Sequence, residues 1–401
     1  MKKIILTTVC ALLLAPVFFS CSGGKKELSE GFFAIELPTG NKEKNINMSR
    51  VAESISYIPL ETTEDCRIES IQKIVPMKDY LIIMDIKSWE HVYLFTKEGK
   101  FVREISSKGT DENQYAILGD VTADPENNRI FILDAARRMI LEFDPEGTFL
   151  SKTPTLFYVA NFQYIADSTL ALNPNYNNSK YFGGDTPNLI LMNLQDGVTG
   201  RYVVRPKALD PSYMLGVRSN FSRTKDGVTF IAPLCDTVFL ATKSGVRPLY
   251  LADFGNNNEA LNKKYIEDVL KSKPAIYSLD KLYESLDNVF MSGFYAYDDV
   301  VLATYSKQGR NYSAFFYPES GKLITGCSLQ PNVTIPVAND MDGITVFSPL
   351  GSQGNSMYCY TTLGLVEGGN DTMLPDEAKK IKDSLKPGDN PVLAVVNLKN
   401  K

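Results

Sequence analysis

Tyr80–Asp85 (YLIIMD) followed by Val92–Ile105 (VYLFTKEGKFVREI) returns as Arg129–Asp134 (RIFILD) followed by Ile140–Thr153 (ILEFDPEGTFLSKT). A pattern of roughly forty-eight residues written twice marks a repeat architecture. In the first copy, Ile71–Val75, Tyr80–Asp85, Val92–Thr96 and Phe101–Ile105 read as short strands. Lys97-Glu98-Gly99-Lys100 joins the last two, with Gly99 supplying the positive φ of a tight hairpin. Four strands in meander make one propeller blade.

Outward from this pair, the hairpin signal recurs around Gly147, Gly197, Gly245 and Gly321, each after an apolar or aromatic strand. The glycine spacings are 48, 50, 48 and 76. The long gap falls where Glu259–Lys273 places Leu261, Tyr265 and Val269 on one helical face and where Ser278 caps a second helical stretch. A helical insert over 258–287 is therefore expected between blades four and five, either a ligand lid or a cover that lays its apolar stripe on a blade edge. After Gly321, Thr334–Ala338, Ile344–Pro349, Met357–Thr362 and Val392–Leu398 read as strands, interrupted by a charged helix, Asp376–Lys386. The chain ends where this blade needs its outer strand, whereas Ser54–Thr62 stands as a strand without a partner before the first repeat. Pairing the two closes the ring and leaves no open edge. The expectation is an all-β, six-bladed β-propeller of four-stranded antiparallel blades closed by the N-terminal strand, with a helical insert and a short helix in blade six.

Met1–Cys21 (MKKIILTTVCALLLAPVFFSC) has two lysines, a short apolar core and a small residue before a cysteine. This resembles a bacterial lipoprotein signal. The resemblance implies a signal peptide over 1–20, acylation at Cys21 and a lipidated tether and linker over 21–50, with Ser22–Glu30 a flexible polar segment, ahead of a propeller over 51–401. The formal charge is −5, and loss of Lys2 and Lys3 makes it about −7, which disfavours nucleic acid as a partner. Cys66, Cys235, Cys327 and Cys359 lack CxxC spacing; they do not indicate zinc and read as buried free thiols.

The run Ile55–Thr63, the blade spanning Tyr80–Ile105 and the leader together resemble the six-bladed β-propeller lipoproteins of Bacteroidota-type bacteria, whose repeats are similar to NHL repeats. That family commonly follows its first outer strand with a loop of the form GxxGxGPGEY. Ser106–Tyr115 keeps Lys108-Gly109 and Tyr115 but lacks the Pro-Gly-Glu.

The only histidine is His91, placed by the pattern in a surface loop beside Trp89, so neither a histidine metal site nor a Ser-His-Asp triad is expected in one chain. Asp85 and Asp134 recur at equivalent positions, which suits a carboxylate closing a turn in each blade better than a catalytic group needed once. The candidate ligand contacts are Lys108, Glu112, Asn113 and Tyr115 in the loop between blades one and two, and Tyr176, Tyr181 and Phe182 in Asn173–Asp185, where aromatic faces alternate with amides. The leading expectation is a monomeric, membrane-anchored, non-enzymatic propeller that binds a glycan, peptide or envelope protein, with the periplasmic face favoured and no cofactor. The alternative is a lactonase or lyase using tunnel carboxylates, for which a calcium ion is the compatible cofactor.

Overall fold

The computed structural model describes residues 25–40, 44–86, 90–175, 181–183, 186–204, 220–232, 235–255, 289–330, 333, 335–346, 348–361 and 374–400. Six four-stranded antiparallel blades surround a central axis. From inner to outer strand, blade one is Ile71–Pro76, Tyr80–Asp85, His91–Thr96 and Phe101–Ser106, and blade two is Leu118–Asp124, Arg129–Asp134, Met139–Phe143 and Phe149–Pro154. Blade three is Asn161–Ala166, Thr169–Asn173, Pro187–Asn193 and Gly197–Val204. Blade four is Phe221–Thr224, Gly227–Ile231, Thr237–Thr242 and Gly245–Asp253, and blade five is Phe290–Ala296, Val301–Lys307, Arg310–Tyr317 and Lys322–Ser328.

Blade six closes the ring. Its strands are Gly351–Gln353, Ser356–Tyr360, Val392–Leu398 and, from the other end of the sequence, Ala52–Pro59. The last two pair antiparallel from Val392↔Pro59 to Leu398↔Ala52, as the unpartnered N-terminal strand predicts. Side chains fasten the closure. The buried Tyr57 hydroxyl donates to Asp342 Oδ2 at 2.6 Å. Asn390 accepts from the Ile68 amide and donates to the carbonyls of Glu61 and Cys66. Two glycines let backbone pass close at this seam: a Cβ on Gly99, which has φ +84°, would collide with the Pro59 carbonyl, and one on Gly351 with the Ile74 carbonyl.

The cores lie between blades, where apolar strand faces meet. Leu94, Val121, Ile132 and Phe143 are packed together between blades one and two. Tyr250, Phe294, Tyr305 and Phe316 do the same between blades four and five. Full burial of each such side chain contributes about 1.5–3 kcal/mol, so the ring is held by its blade-to-blade contacts.

Three expectations change. Blade six takes Gly351–Gln353 as its inner strand, whereas Val337–Ala338 pairs in parallel with Ile46–Asn47, and among the described residues of 344–349 the pairing is a bridge from Val346 to Thr361. Part of the stretch read as a tether is folded. Lys25–Ser29 and Phe32–Glu36 form a hairpin whose second strand pairs in parallel with Gly245–Asp253 and extends blade four to six strands. Ala34 and Ile35, each 1% exposed, anchor it. His91 is half-buried at the start of a strand, its ring stacked on Tyr93 and its Nδ1 2.7 Å from Glu104 Oε1. The charged helix spans Asp376–Ser384, while the insert over 258–287 lies outside the described residues. All four described cysteines are free thiols, and burial pushes Cys66 up to about 12 and Cys235 up to about 11.

Candidate functional site: the central tunnel

In a meander blade the inner strands run parallel to one another around the axis, and their exposed edges make a channel. Here that channel is a cavity of about 500 Å³ lined by residues from the inner-strand region of all six blades. Hydrogen bonds tie neighbouring inner strands together. The Ile74 amide donates to Leu350 O at 2.8 Å between blades one and six. Asp120 of blade two accepts from Lys73 of blade one and from the Phe162 amide of blade three. Asn161 of blade three donates to Asn220 beside blade four, and Ser222 of blade four donates to Phe294 O of blade five. Blades five and six are joined at their first turns, where Asp299 and Asn355 exchange two hydrogen bonds.

Two sets of polar side chains in the tunnel contrast. In the first, every group is engaged. Lys73 Nζ lies 2.9 and 3.1 Å from the two Asp120 oxygens and reaches Phe162 O of blade three at 3.4 Å. Asp120 also accepts from the Val121 and Phe162 amides. At the mouth formed by the blade-to-blade linkers, Asn161, Asn173 and Asn220 form an amide network. Asn220 Oδ1 accepts from the other two and its Nδ2 donates to Ile231 O at 2.8 Å.

The second set is little engaged. Gln163 lines the tunnel at 9% exposure, and no hydrogen bond of its side chain is found among the described residues. Arg223 of blade four stretches towards blade two, where Nη1 donates to Ala123 O at 3.5 Å. Its guanidinium lies 5.8 Å from the Tyr164 ring centroid. Among the described residues no carboxylate is within ion-pair distance of it. Asp124 is near enough to act electrostatically, but its oxygens accept from the Glu126 and Asn127 amides and from Asn127 Nδ2. Burial lowers the Arg223 pKa, yet a guanidinium stays charged at neutral pH.

The donor set does not fit a calcium ion. Hard cations need several oxygen donors, and the tunnel lining supplies one carboxylate, Asp120, already neutralised by Lys73. Among the described residues no three Asp, Glu, His or Cys side chains gather in metal-binding range.

The predicted contacts separate when placed. Tyr115 is fully buried, its hydroxyl donating to Glu90 O at 2.6 Å and Ser106 O at 3.2 Å. It pins the interblade loop and offers no surface to a ligand, which corrects its place among the contacts. Phe182 is likewise buried at 4%, packed on Phe157 and covered by the Arg201 guanidinium. Tyr181 is 45% exposed with its ring against both phenylalanines. Lys108 and Glu112 are exposed and paired with Glu90 and Lys152, and Asn113 is exposed with its carbonyl accepting from Ser106 Oγ. Tyr176 and Cys21 lie outside the described residues.

Asp85 and Asp134 are buried acceptors. Asp85 takes the Glu69 and Ser70 amides, both at 2.8 Å, and Asp134 takes those of Ala116, Ile117, Ala136 and Arg137. Each thus fastens the chain entering its blade to the end of the second strand, a scaffold role. Asn173 closes the second strand of blade three at the same position and belongs to the same series. Sequence reading missed Arg137, which gathers the carbonyls of Gly109, Asp111 and Gln114. It also missed Gln163 and Arg223. Their signal is a polar residue at the third position of an inner strand, where blades one and two carry the mutually paired Lys73 and Asp120.

Fold and site together define a six-bladed propeller with a polar tunnel. The chain belongs to the family described as Domain of unknown function (DUF4934), which matches residues 32–397. A crystallised protein of Bacteroides fragilis NCTC 9343, described as exported, is similar with a TM-score of 0.69 at 16% identity, over 89% of this chain and 98% of that one. A member of the duf4221 family from Bacteroides vulgatus ATCC 8482 aligns with a TM-score of 0.47 at 11% identity, over 89% of this chain and 99% of the other. No curated protein matches the sequence.

Proposed function

We propose that this protein is an exported, lipid-anchored propeller with NHL-like repeats that acts by binding, taking a small polar portion of a glycan, peptide or envelope protein into its central tunnel. The observation that carries this reading is the tunnel itself. A space of about 500 Å³ lies within the range of small-molecule sites, and it is walled by amides, hydroxyls and one spare cation. Its single lining carboxylate, Asp120, is paired with Lys73, which favours binding over carboxylate-based lactone chemistry there. The similarity to a protein described as exported supports placement beyond the cytoplasm.

Acylation at Cys21 would set the orientation. Ser22, Gly23 and Gly24 alone separate it from the strand Lys25–Ser29 on the rim of blade four, a reach of roughly 14 Å at full extension. Blade four would then face the membrane and the tunnel axis would lie along its plane, with both mouths open to the periplasm. Screening the full chain on glycan and peptide arrays, with affinity capture from envelope extract, tests the binding role. Specific retention of one ligand class is expected, and retention of none overturns it. Metabolic labelling with a palmitate analogue, lost in Cys21→Ala, tests the anchor.

A further inference from the structure

Two polar side chains that the fold leaves little used stand on neighbouring blades of the ring. Gln163 is on the inner strand of blade three and Arg223 on that of blade four. The strands are tied at one level by Asn161 and Asn220. Gln163 lies two residues further along its strand and Arg223 three along the other, so the parallel strands carry both to a similar depth. The Arg223 guanidinium lies 5.8 Å from the ring centroid of Tyr164, the residue after Gln163 on that strand. Both side chains line the same cavity.

The Gln163 amide opens onto the tunnel with no protein partner among the described residues, so its hydrogen bonds are available to whatever fills the lumen. A guanidinium reaching into a lumen with one long carbonyl contact is a cation held ready, not one spent on the fold. Elsewhere the tunnel shows the spent arrangement, in which Lys73 is matched by both oxygens of Asp120. Guanidinium and primary amide present parallel N–H donors, and this fork matches the two oxygens of a carboxylate.

We propose that Arg223 and Gln163 form a carboxylate-recognition subsite inside the tunnel. The inference rests on the tunnel being the binding site. A uronic acid and a peptide C-terminus carry the same chemistry, and the test separates them.

The experiment is calorimetric titration of the full chain with two matched pairs: digalacturonate against its dimethyl ester, and the tripeptide Ala-Tyr-Ala against its C-terminal amide. In one pair the acid is expected to bind at least tenfold tighter than the neutral form, and that pair names the source. Arg223→Met keeps the aliphatic stem and should abolish the preference while leaving affinity for the neutral form within about twofold. Gln163→Leu should reduce the preference several-fold. Because the variants are read by a ratio on protein that still binds the neutral form, misfolding cannot imitate the result. Equal binding of acid and neutral forms by the wild type, or a preference that survives in Arg223→Met, overturns the subsite and leaves the tunnel reading standing. Failure of both pairs to bind the wild type at all overturns the subsite together with the tunnel reading for these ligand classes.

Discussion

Blades one and two set against blades three and four show two uses of buried polarity in one ring. In the first pair the buried charged groups facing the axis or the blade entrance have their complements. Asp85 and Asp134 hold backbone amides, and Lys73 holds Asp120. In the second pair Asn173 still holds the Asn175 amide, but Gln163 and Arg223 project into the tunnel with little to hold. The residues recurring from blade to blade build the ring. Those occurring once, on inner strands, are where a ligand can be specified. A repeat must solve its folding problem in every copy, whereas a site needs to be made only once.

This contrast can be broken by mutation. The largest effect is expected for Asp134→Ala, which strips four amide donors of their acceptor in a fully buried setting. It should lower stability by about 3–5 kcal/mol in urea unfolding, and a loss below about 1 kcal/mol would refute the scaffold role. Lys73→Met comes next, because it leaves the Asp120 carboxylate, 6% exposed, without its cation. A loss of about 2–4 kcal/mol is expected, largely restored in the double variant Lys73→Met/Asp120→Asn. Tyr115→Phe removes a hydroxyl shared between two carbonyls and should cost about 1 kcal/mol, with faster amide exchange over Ser107–Gln114 as the local signature. The smallest change is expected for Arg223→Met and Gln163→Leu, each within about 0.5 kcal/mol of the wild type.

The duplicated stretch made the blade legible because period-two apolar strands and a positive-φ glycine recur at fixed spacing, and the two unpaired ends made the closure legible because an open sheet edge is a cost the chain can remove. The inner strand of blade six was hidden: Gly351–Gln353 is three residues long and carries no apolar alternation, and it is defined by its approach to Ile74. The N-terminal hairpin was hidden for another reason. Its partner strand lies more than two hundred residues away and pairs with it in parallel, so nothing local in Lys25–Glu36 announces the contact. The loop candidates were chosen for composition, and composition does not reveal direction. Tyr115 and Phe182 look like exposed aromatics in sequence and turn inward in the fold. Arg223 was passed over because a single arginine in a short strand resembles any surface cation until the ring brings Ala123 and Tyr164 to it.

The central claim, that blade four's arginine is little used by the fold while blade one's lysine is essential to it, is tested most directly by measuring urea-unfolding free energies of Arg223→Met and Lys73→Met side by side. The account predicts a loss of about 2–4 kcal/mol for Lys73→Met and no more than about 0.5 kcal/mol for Arg223→Met. Equal losses would contradict it, since Arg223 would then be one more member of the scaffold.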